Sequence, residues 1–429
     1  MRRRARPGGG RQLELEIETL GGRGDGVGQD HGRPVFVAGA LPGDRLRVRI
    51  TGERAGGLKG EILERLDEGP GHEEPPCPHF GPCGGCQLQH LDDGRYTAWK
   101  RDLACKALAR RGLPDDLVAP LIRVPPASRR RASLAARVEG EGVALGFRGR
   151  ESHRVVDASG CLLLSGPLMT GLAVLRAGLG PVLGSGGTCE LALLECVNGL
   201  DLLITLERPP DLDQRTALAE LAERADLARL TWRVAGQEPE PLAVHRSPVL
   251  RFNGQAVTPP PGGFTQPTLE GETELQRLVL AALPAGAKRV VELFAGIGTF
   301  SFHLGGRASL RAVEGDRAAC LALDAAQRRA GGRIAVEQRD LERRPLEPTE
   351  LAGFDALVFD PPRAGAKAQA ERIAASDLAA VVAVSCNPNS FARDARILID
   401  DGFQLEAVTP LDQFPWSHHL ELVASFRRP

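Results

Sequence analysis

The sequence predicts a multidomain protein in which a small N-terminal β-barrel and a central α+β domain precede a C-terminal α/β domain with a Rossmann-like sheet. Three observations predict it. Short alternating strands fill the chain up to about residue 65, three cysteines then fall within ten residues, and strand and helix patterns alternate from residue 289 onward. We place the domains at residues 1–66, 67–258 and 259–429.

Composition restricts the class of protein and of partner. The 429 residues are 42% hydrophobic and carry a formal net charge of −1. Residues 95–150 nevertheless hold 13 Lys and Arg against 5 Asp and Glu, which predicts an anionic partner such as nucleic acid. No run reaches the roughly 20 apolar residues of a membrane span, and no apolar signal core follows Met1. We expect a cytoplasmic monomer.

The N-terminal region has the pattern of a small β-barrel. Residues 1–11 read as a basic flexible arm. From Leu13 to Arg65, alternating apolar residues are separated by glycine-rich turns, which favours a five-stranded barrel. Pro42-Gly43-Asp44 before the Leu46–Ile50 strand resembles the TRAM domain, an RNA-binding module of OB-like shape. A small barrel without a ligand is the alternative.

A cysteine loop follows the barrel. Cys77, Cys83 and Cys86 have the spacing C-x5-C-x2-C and are separated by Gly and Pro, so the loop can wrap a metal. Thiolates suit zinc or an iron–sulfur cluster. Zinc ribbons commonly pair two C-x2-C units, and this chain has one, which favours a four-cysteine iron–sulfur cluster. Cys161 is the best fourth ligand and Cys105 the second choice. A purely structural role for the metal remains open.

The central segment concentrates arginines on two strands. The strand opening at Ser128 and continuing to Val138 is followed by a turn at Gly140 and an apolar partner at residues 143–147. Phosphate contact is the functional interpretation, and a solvated charged face is the alternative. The arginines concerned are Arg129, Arg130, Arg131, Arg137, Arg148 and Arg150.

A glycine-rich turn opens the C-terminal domain, after a linker at residues 259–263. The strand at residues 289–294 runs into Ala295-Gly296-Ile297-Gly298-Thr299, where glycines let a ligand approach the backbone. Glu314, 22 residues after Glu292, ends the next strand and can accept both ribose hydroxyls. The third glycine of a dinucleotide fingerprint is missing. Asp340, after the following strand, can meet an adenine.

Later strand ends carry the reactive groups. Asp360 follows the strand at residues 356–359, and Cys386 follows the apolar run 378–384. The carboxyl ends of such strands open onto the ligand crevice of an α/β sheet. A lone cysteine is more often a buried structural residue, Asp360 alone reads as a helix cap, and Glu421 alone as a surface acid. The surrounding motifs, Asp-Pro-Pro-Arg, Ser-Cys-Asn-Pro and His-Leu-Glu, favour a catalytic interpretation.

Together these motifs resemble the class I S-adenosylmethionine (SAM)-dependent RNA uracil-5 methyltransferases. The resemblance is to the 23S rRNA subgroup with an N-terminal TRAM domain and a cysteine cluster, and it covers nearly the whole chain. It is carried by the four cysteines, Phe264-Thr265-Gln266, Leu293-Phe294-Ala295-Gly296-Ile297-Gly298, Asp360-Pro-Pro-Arg-Ala-Gly, Ser385-Cys-Asn-Pro and Phe414-Pro415 through His419-Leu420-Glu421.

The resemblance implies specific roles. Cys386 is the expected nucleophile and Glu421 the expected base. A [4Fe–4S] cluster is expected on Cys77, Cys83, Cys86 and Cys161. SAM contacts are expected from Gln266, Phe294, Thr299, Glu314, Asp340 and Asp360. The chain departs from the family at two positions. Many members carry Asn where this chain has Thr268, and some carry Asn where it has Thr299.

The chemistry explains why such residues are needed. Uracil C5 is too weak a nucleophile to attack a methyl sulfonium unaided, and a thiolate adding at C6 makes C5 nucleophilic. A base must then remove the C5 proton so that the thiolate leaves. The target base has to leave its stack to reach the thiol. We expect 23S rRNA as the substrate, with tRNA as the alternative.

Two other classes of protein are weaker interpretations. Radical-SAM enzymes that also have a TRAM domain use C-x3-C-x2-C, place that domain C-terminally and lack this Rossmann-like domain. A non-catalytic iron–sulfur RNA-binding protein would not need Cys386, Glu421 or the Gly296-x-Gly298 turn. The sequence therefore favours the methyltransferase.

Overall fold

The computed structural model describes residues 10–429. The predicted basic arm lies outside the described residues, apart from its last two positions. The chain forms two compact units. One contains the chain up to Leu103 together with Trp416–His418, and the other contains Ala104–Pro415 and His419–Pro429. The three domain boundaries given above stay a prediction.

The first unit begins with a six-stranded sheet of order β1-β5-β6-β4-β3-β2. Its strands pair antiparallel except for β4 and β6. Alternate residues such as Leu15, Val35 and Val48 are buried in its core, as the sequence pattern predicts. The strands are β1 (Gln12–Glu16), β2 (Thr19–Leu20), β3 (Gly26–Asp30), β4 (Arg33–Val37), β5 (Arg45–Arg54) and β6 (Gly57–Asp67).

The cysteine loop and a helix follow the sheet. Helix α1 (Asp93–Ala109) carries Lys100, which is fully buried. The Lys100 ammonium donates to the carbonyl of Ser417 at 2.7 Å, and the Trp416 amide donates to the Tyr96 hydroxyl at 2.9 Å. The Trp416 carbonyl accepts from the Gln87 amide at 2.7 Å. The segment Trp416–His418 is thus held by groups of its own unit.

The second unit begins with a short strand, β7 (Ile122–Arg123), and then a seven-stranded sheet of order β10-β9-β8-β11-β12-β13-β14. The predicted arginine-bearing hairpin is its β8–β9 pair. Leucines from the sheet and helices fill one core. These elements are β8 (Arg131–Glu139), β9 (Gly142–Arg148), β10 (Val155–Asp157), α2 (Gly166–Gly178), α3 (Gly180–Leu183), β11 (Thr188–Cys196), β12 (Gly199–Leu206), α4 (Leu212–Arg224), β13 (Leu227–Val234) and β14 (Glu240–Val244).

An eight-stranded sheet of order β19-β18-β17-β20-β21-β23-β22-β7 forms the rest of this unit. A small hairpin and α5 precede it. The elements are β15 (Leu250–Phe252), β16 (Gln255–Val257), α5 (Leu269–Ala282), β17 (Arg289–Leu293), α6 (Ser301–Gly305), β18 (Ser309–Glu314), α7 (Arg317–Arg329), β19 (Ile334–Gln338), α8 (Pro348–Leu351), β20 (Ala356–Phe359), α9 (Lys367–Ala374), β21 (Ala380–Ser385), α10 (Pro388–Asp400), β22 (Gln404–Asp412) and β23 (Glu421–Arg427).

The strand order creates a crevice at β17. Strands β17 to β21 pair parallel, and β23 pairs antiparallel with both β21 and β22. From β17 the chain proceeds first to β18 on one side and later to β20 on the other, so the strand order reverses there. Ligands of open α/β sheets bind at such a point, beyond the carboxyl ends of the strands. Every residue of β20 and β21 is buried, which explains their continuous apolar sequences.

Within residues 10–429, the helices are all too short or too polar to cross a membrane. The predicted fold class, a small N-terminal β-structure, an α+β middle and a Rossmann-like C-terminal sheet, is confirmed. The N-terminal sheet has six strands rather than the five predicted, and the iron–sulfur loop of the central domain stays a prediction.

Candidate active site

The pairing of β21 with β23 brings two predicted catalytic residues together. Ser385 lies opposite Leu422 in an antiparallel ladder. Cys386 and Glu421 are the next residues beyond this pair, because antiparallel partners advance in opposite directions, and the charge of Glu421 acts on the Cys386 thiol. On its other side Glu421 lies opposite Leu411 of β22. The Glu421 side chain is 5% exposed and Cys386 is half-buried.

The environment of Cys386 keeps its thiol protonated. Burial raises the pKa of the Cys386 thiol to about 12, and the negative charges of Glu421 and Asp360 act in the same direction. The positive charge of Arg363 opposes them. Because the thiolate is the nucleophilic form, this cysteine needs a change of charge or a proton acceptor beside it before it can attack.

The loop after β20 is fastened to the helix that follows Cys386. The Asn387 side chain caps α10 by accepting from the Asn389 amide at 3.1 Å, and its Nδ2 donates to the Arg363 carbonyl at 3.0 Å. Ser390 Oγ donates to the same carbonyl at 3.1 Å. Asn387 therefore joins the Asp-Pro-Pro-Arg loop to the turn that carries the thiol. Sequence reasoning did not assign it a role of its own.

The glycine-rich turn after β17 adopts a strained backbone. Phe294, Gly296 and Gly298 have φ values of 61°, 56° and 99°, in the left-handed region. A Cβ on Gly298 would come within 2.7 Å of Leu323, so that glycine also allows α7 to pack closely. Phe294 is a bulky residue held in a conformation that is costly for it, and such strain concentrates at ligand sites.

Glu314 organises this turn. One carboxylate oxygen accepts from the Gly296 amide at 2.8 Å, and the other accepts from the Asp316 amide at 2.7 Å. The side chain is half-buried. A carboxylate has about four acceptor positions, so two remain for ligand hydroxyls. Asp340 lies nearby, because the Arg339 amide donates to the Glu314 carbonyl at 2.7 Å.

Two acids with raised pKa values, the buried Glu292 and the half-buried Asp360, flank the crevice. Burial raises the pKa of Glu292 to about 8 and that of Asp360 to about 7, and the charge of Glu314 adds to both shifts. Glu292 Oε2 accepts from Ser301 Oγ at 2.6 Å, while its Oε1 has no partner among the described residues. The charges of Glu421 and Asp360 both act on Cys386, and those of Asp360 and Glu314 both act on Glu292. A cation bound here would be stabilised by the acids.

The other residues expected to contact SAM lie in different settings. Gln266 is 3% exposed, and Thr299 contributes its carbonyl to a 2.9 Å hydrogen bond from Gln276. Asp340 is exposed and accepts from the amides of Glu342 and Arg343, at 3.1 and 3.2 Å, so it also stabilises a turn. Their contact with SAM stays a prediction.

The cysteines are not gathered into a metal site. Cys77, Cys83 and Cys86 are half-buried in the first unit, where the Gly85 amide donates to the Cys83 sulfur at 3.4 Å. Cys161 is half-buried in the second unit. Across residues 10–429, no three or more His, Cys, Asp or Glu side chains are arranged to hold a metal ion. As placed, the thiols do not fit a cluster, so the iron–sulfur prediction rests on spacing and resemblance alone.

The arginines on and beside the β8–β9 hairpin differ in exposure and in partners more than the sequence predicts. The expectation of phosphate contact was wrong for Arg130, which is 7% exposed and donates to Glu272 at 2.6 Å. Burial raises the pKa of Glu272 to about 7 despite this pair. Arg131 lies over the exposed Phe264 ring at 4.8 Å. Arg137 is exposed and stays a candidate phosphate contact.

Comparison with known proteins decides the family. The TRAM domain profile matches residues 9–63, and the tRNA (Uracil-5-)-methyltransferase profile matches residues 335–428. The 23S rRNA (uracil(1939)-C(5))-methyltransferase RlmD of Chromohalobacter salexigens is 34% identical over 420 residues, covering 95% of this chain and 87% of its own. The chain belongs to the SAM-dependent RNA (uracil-5-)-methyltransferase family.

Further relatives agree with this family. An RNA methyltransferase of Rhizobium meliloti is 39% identical over 423 residues, covering 96% of this chain and 99% of its own. Pyrococcus abyssi tRNA (uracil-54, C5)-methyltransferase, solved with S-adenosyl-L-homocysteine, superposes with a TM-score of 0.74 at 21% identity. That likeness covers 96% of this chain and 99% of the Pyrococcus chain, and it shows a shared fold. The family resemblance drawn from the motifs is confirmed.

Proposed function

We propose that this enzyme transfers a methyl group from SAM to C5 of a uridine in 23S rRNA. Cys386 adds to C6 of the uridine, and Glu421 removes the C5 proton after methyl transfer. The observation that carries the proposal is that Cys386 and Glu421 come directly after the last pair of the β21–β23 ladder, Ser385 and Leu422, and that the charge of Glu421 acts on the Cys386 thiol.

The proton balance involves a third group. The Cys386 thiol has to lose its proton before it adds to C6, and Glu421 has to remain ionised for the later step. We assign the thiol proton to Asp360, whose carboxyl group is close to half-protonated at neutral pH. SAM supplies the electrophilic methyl group and, as a sulfonium, a positive charge. Arg363 favours the thiolate as it forms.

The methyl donor site is proposed on the glycine turn and its neighbours. The two free acceptor positions of Glu314 suit ribose hydroxyls, and the buried acids suit a cationic sulfonium. Asp340, next in sheet order, suits the adenine. Gln266, Phe294 and Thr299 complete the proposed set, with Asp360.

We propose 23S rRNA rather than tRNA as the substrate. The relative with a stated substrate and 34% identity acts on 23S rRNA, whereas the solved tRNA enzyme is 21% identical. The exposed Phe264, backed by Arg131, and the exposed Arg137 supply aromatic and cationic surface for an unstacked strand.

The iron–sulfur cluster is retained as a separate proposal. It rests on the spacing of three cysteines within ten residues and on the family resemblance. No step of the methyl transfer depends on this cluster.

The experiment uses purified full-length protein and SAM. 23S rRNA and tRNA transcripts containing 5-fluorouridine are offered separately, because fluorine at C5 blocks proton removal and traps the covalent adduct. An adduct with rRNA alone, lost in Cys386→Ala, is the expected result. An adduct with tRNA alone would retain the chemistry and reverse the substrate assignment. RNA binding without any adduct would favour a non-catalytic RNA-binding protein.

A further inference from the structure

A buried glutamine joins two separate parts of the methyltransferase sheet. Gln413 follows β22 and is 2% exposed. Its Nε2 donates to Gln266 Oε1 at 3.0 Å, and its Oε1 accepts from Thr268 Oγ1 at 3.4 Å. These partners lie 147 and 145 residues away in sequence. Neither the sequence motifs nor the proposed mechanism assigns Gln413 a role.

The hydrogen bonds of this chain run in one consistent direction. The Gly271 amide, which can only donate, donates to Thr268 Oγ1 at 3.0 Å and forms the N-cap of α5. The Thr268 hydroxyl in turn donates to Gln413 Oε1 at 3.4 Å. That fixes the Gln413 amide group with its Nε2 toward Gln266. Since Gln266 Oε1 is used as an acceptor, the free end of the Gln266 amide is its donor, Nε2.

The packing around Gln413 is shaped to keep it there. A Cβ on Gly271 would lie 2.2 Å from Gln413 Oε1, so the glycine makes room for the contact. Helix α5, which begins at this point, is also tied to the glycine-rich turn, because Gln276 Nε2 donates to the Thr299 carbonyl at 2.9 Å. The hydrogen bonds from Gly271 through Thr268 and Gln413 to Gln266 are thus anchored on α5, the helix that contacts the glycine-rich turn of the proposed donor site.

Polar groups at the end of this chain lack protein partners. Among residues 10–429, no protein group accepts from Gln266 Nε2, although the residue is 97% buried. The adjacent Thr265 hydroxyl, 1% exposed, also has no partner among those residues. Buried polar groups are rarely left unpaired. The unpaired Thr265 hydroxyl, beside a Gln266 amide whose Nε2 is not used by the protein, therefore indicates a place that a ligand completes.

We infer that Gln413 is a positioning residue that orients the Gln266 amide so that Nε2 donates to the carboxylate of the methyl donor. Glu314, Asp340 and Asp360 of the proposed donor site are acidic and suit hydroxyls or cations, so the donor's carboxylate needs a different partner. This inference rests on the proposed function, which assigns Gln266 to the donor site.

The test measures SAM affinity of the full-length protein by calorimetry, without RNA. Gln413→Glu keeps the size and the acceptor for Thr268 but replaces the donor facing Gln266, so it reverses the orientation of the Gln266 amide. We expect SAM to bind about tenfold more weakly, the effect of one lost hydrogen bond to a charged group. Gln413→Ala, which leaves Gln266 free to choose its orientation, should lose less. In turnover, the KM for SAM should rise while kcat stays nearly constant.

Decarboxylated SAM identifies the ligand atom, because it lacks the carboxylate. Its affinity should be the same in the wild type and in Gln413→Glu. An equal loss for both ligands would overturn the assignment of the carboxylate. Unchanged SAM affinity in Gln413→Glu, or a larger loss in Gln413→Ala, would overturn the positioning role.

Gln369→Glu is the matched control for introducing a buried acid. Gln369 is 1% exposed and bridges the amide and carbonyl of Leu346, away from Gln266. It should lower thermal stability and leave SAM affinity unchanged. Because the measurement needs neither RNA nor methyl transfer, it stays interpretable if the uridine chemistry fails, and the fluorouridine experiment does not depend on its result.

Discussion

The cysteine that follows β21 and the cysteine loop of the first unit were both predicted to be functional, and their surroundings in the structure differ. Cys386 and Glu421 follow the last pair of the β21–β23 ladder, and the charge of Glu421 acts on the Cys386 thiol. The thiols of Cys77, Cys83 and Cys86 lie in a loop and, within residues 10–429, are not part of a metal-binding arrangement.

This comparison indicates which kind of site a polypeptide chain can form without its ligand. A pair on adjacent strands is held by the hydrogen bonds of the sheet, whether or not a ligand is present. A metal loop is assembled by its metal, since binding energy and folding energy are coupled at such sites. The predictions below test this distinction, beginning with the largest expected effect.

Removing the nucleophile tests the pre-formed site most directly. Cys386→Ala should lower the rate of methyl transfer by roughly 10⁴-fold or more, because loss of a nucleophile leaves only binding and electrostatics. The measurement is single-turnover transfer of labelled methyl from SAM to a 23S rRNA transcript. Cys189→Ala is the control, since Cys189 is buried in the central sheet, and it should keep near-normal rates. Comparable losses in both variants would contradict the assigned role.

Removing the base should stop the reaction one step later. Glu421→Gln keeps the shape of the side chain but cannot take the C5 proton, so turnover should fall by about 10²- to 10⁴-fold. Unlike Cys386→Ala, this variant should accumulate a covalent protein–RNA complex with ordinary uridine. The complex is detected on denaturing gels. If turnover falls without a trapped complex, Glu421 acts before adduct formation and our assignment is wrong.

The cysteine loop tests the other half of the comparison. Protein reconstituted without oxygen should contain iron and sulfide, and Cys161→Ser should lose them, while Cys105→Ser should keep them. Because the metal assembles the loop, removing it should increase protease cleavage within residues 68–92 and leave SAM affinity nearly unchanged. If the wild-type protein takes up no iron, the proposal that this protein holds a cluster is wrong.

The sequence predicted those features that local patterns determine. The buried strands β20 and β21 have continuous apolar sequences, so Asp360 and Cys386 could be placed at strand ends before the structure was known. The pairing of Arg130 with Glu272 and of Gln413 with Gln266 could not, because each joins residues more than 130 positions apart. The two-residue strand β7, which completes the sheet beside β22, has no periodicity to detect.

Three acids with raised pKa values make the stability of the folded protein depend on pH. Glu292, Asp360 and Glu272 have folded pKa values raised to about 8, 7 and 7, well above those of unfolded chains. A raised carboxyl pKa stabilises the fold at low pH, and that stability is lost as pH rises through the folded value. Each group contributes at most about 1.4 kcal/mol per pH unit.

Calorimetry of the ligand-free protein should therefore show the Tm falling between about pH 4.5 and pH 8, from the unfolded to the highest folded pKa. Glu292→Gln should reduce the slope, since it removes the group with the highest of these pKa values. A Tm that rises over this range, or a slope unchanged in the variant, would show that Glu292 stays ionised in the folded protein. The pre-formed site would then carry more negative charge than we infer.

The smallest effect concerns Asn387, which fastens the turn of Cys386 to the Asp-Pro-Pro-Arg loop. Asn387→Ala removes the N-cap of α10 and should lower the free energy of unfolding by about 1 kcal/mol. Asp211→Ala removes the N-cap of α4, in a capping box remote in sequence, and should cost a similar amount. Only Asn387→Ala also loses the hydrogen bond to the Arg363 carbonyl. If adduct formation slows in Asn387→Ala and not in Asp211→Ala, the lower rate arises from misplacement of the Cys386 thiol. Equal rates in the two variants would mean that the sheet register alone positions Cys386.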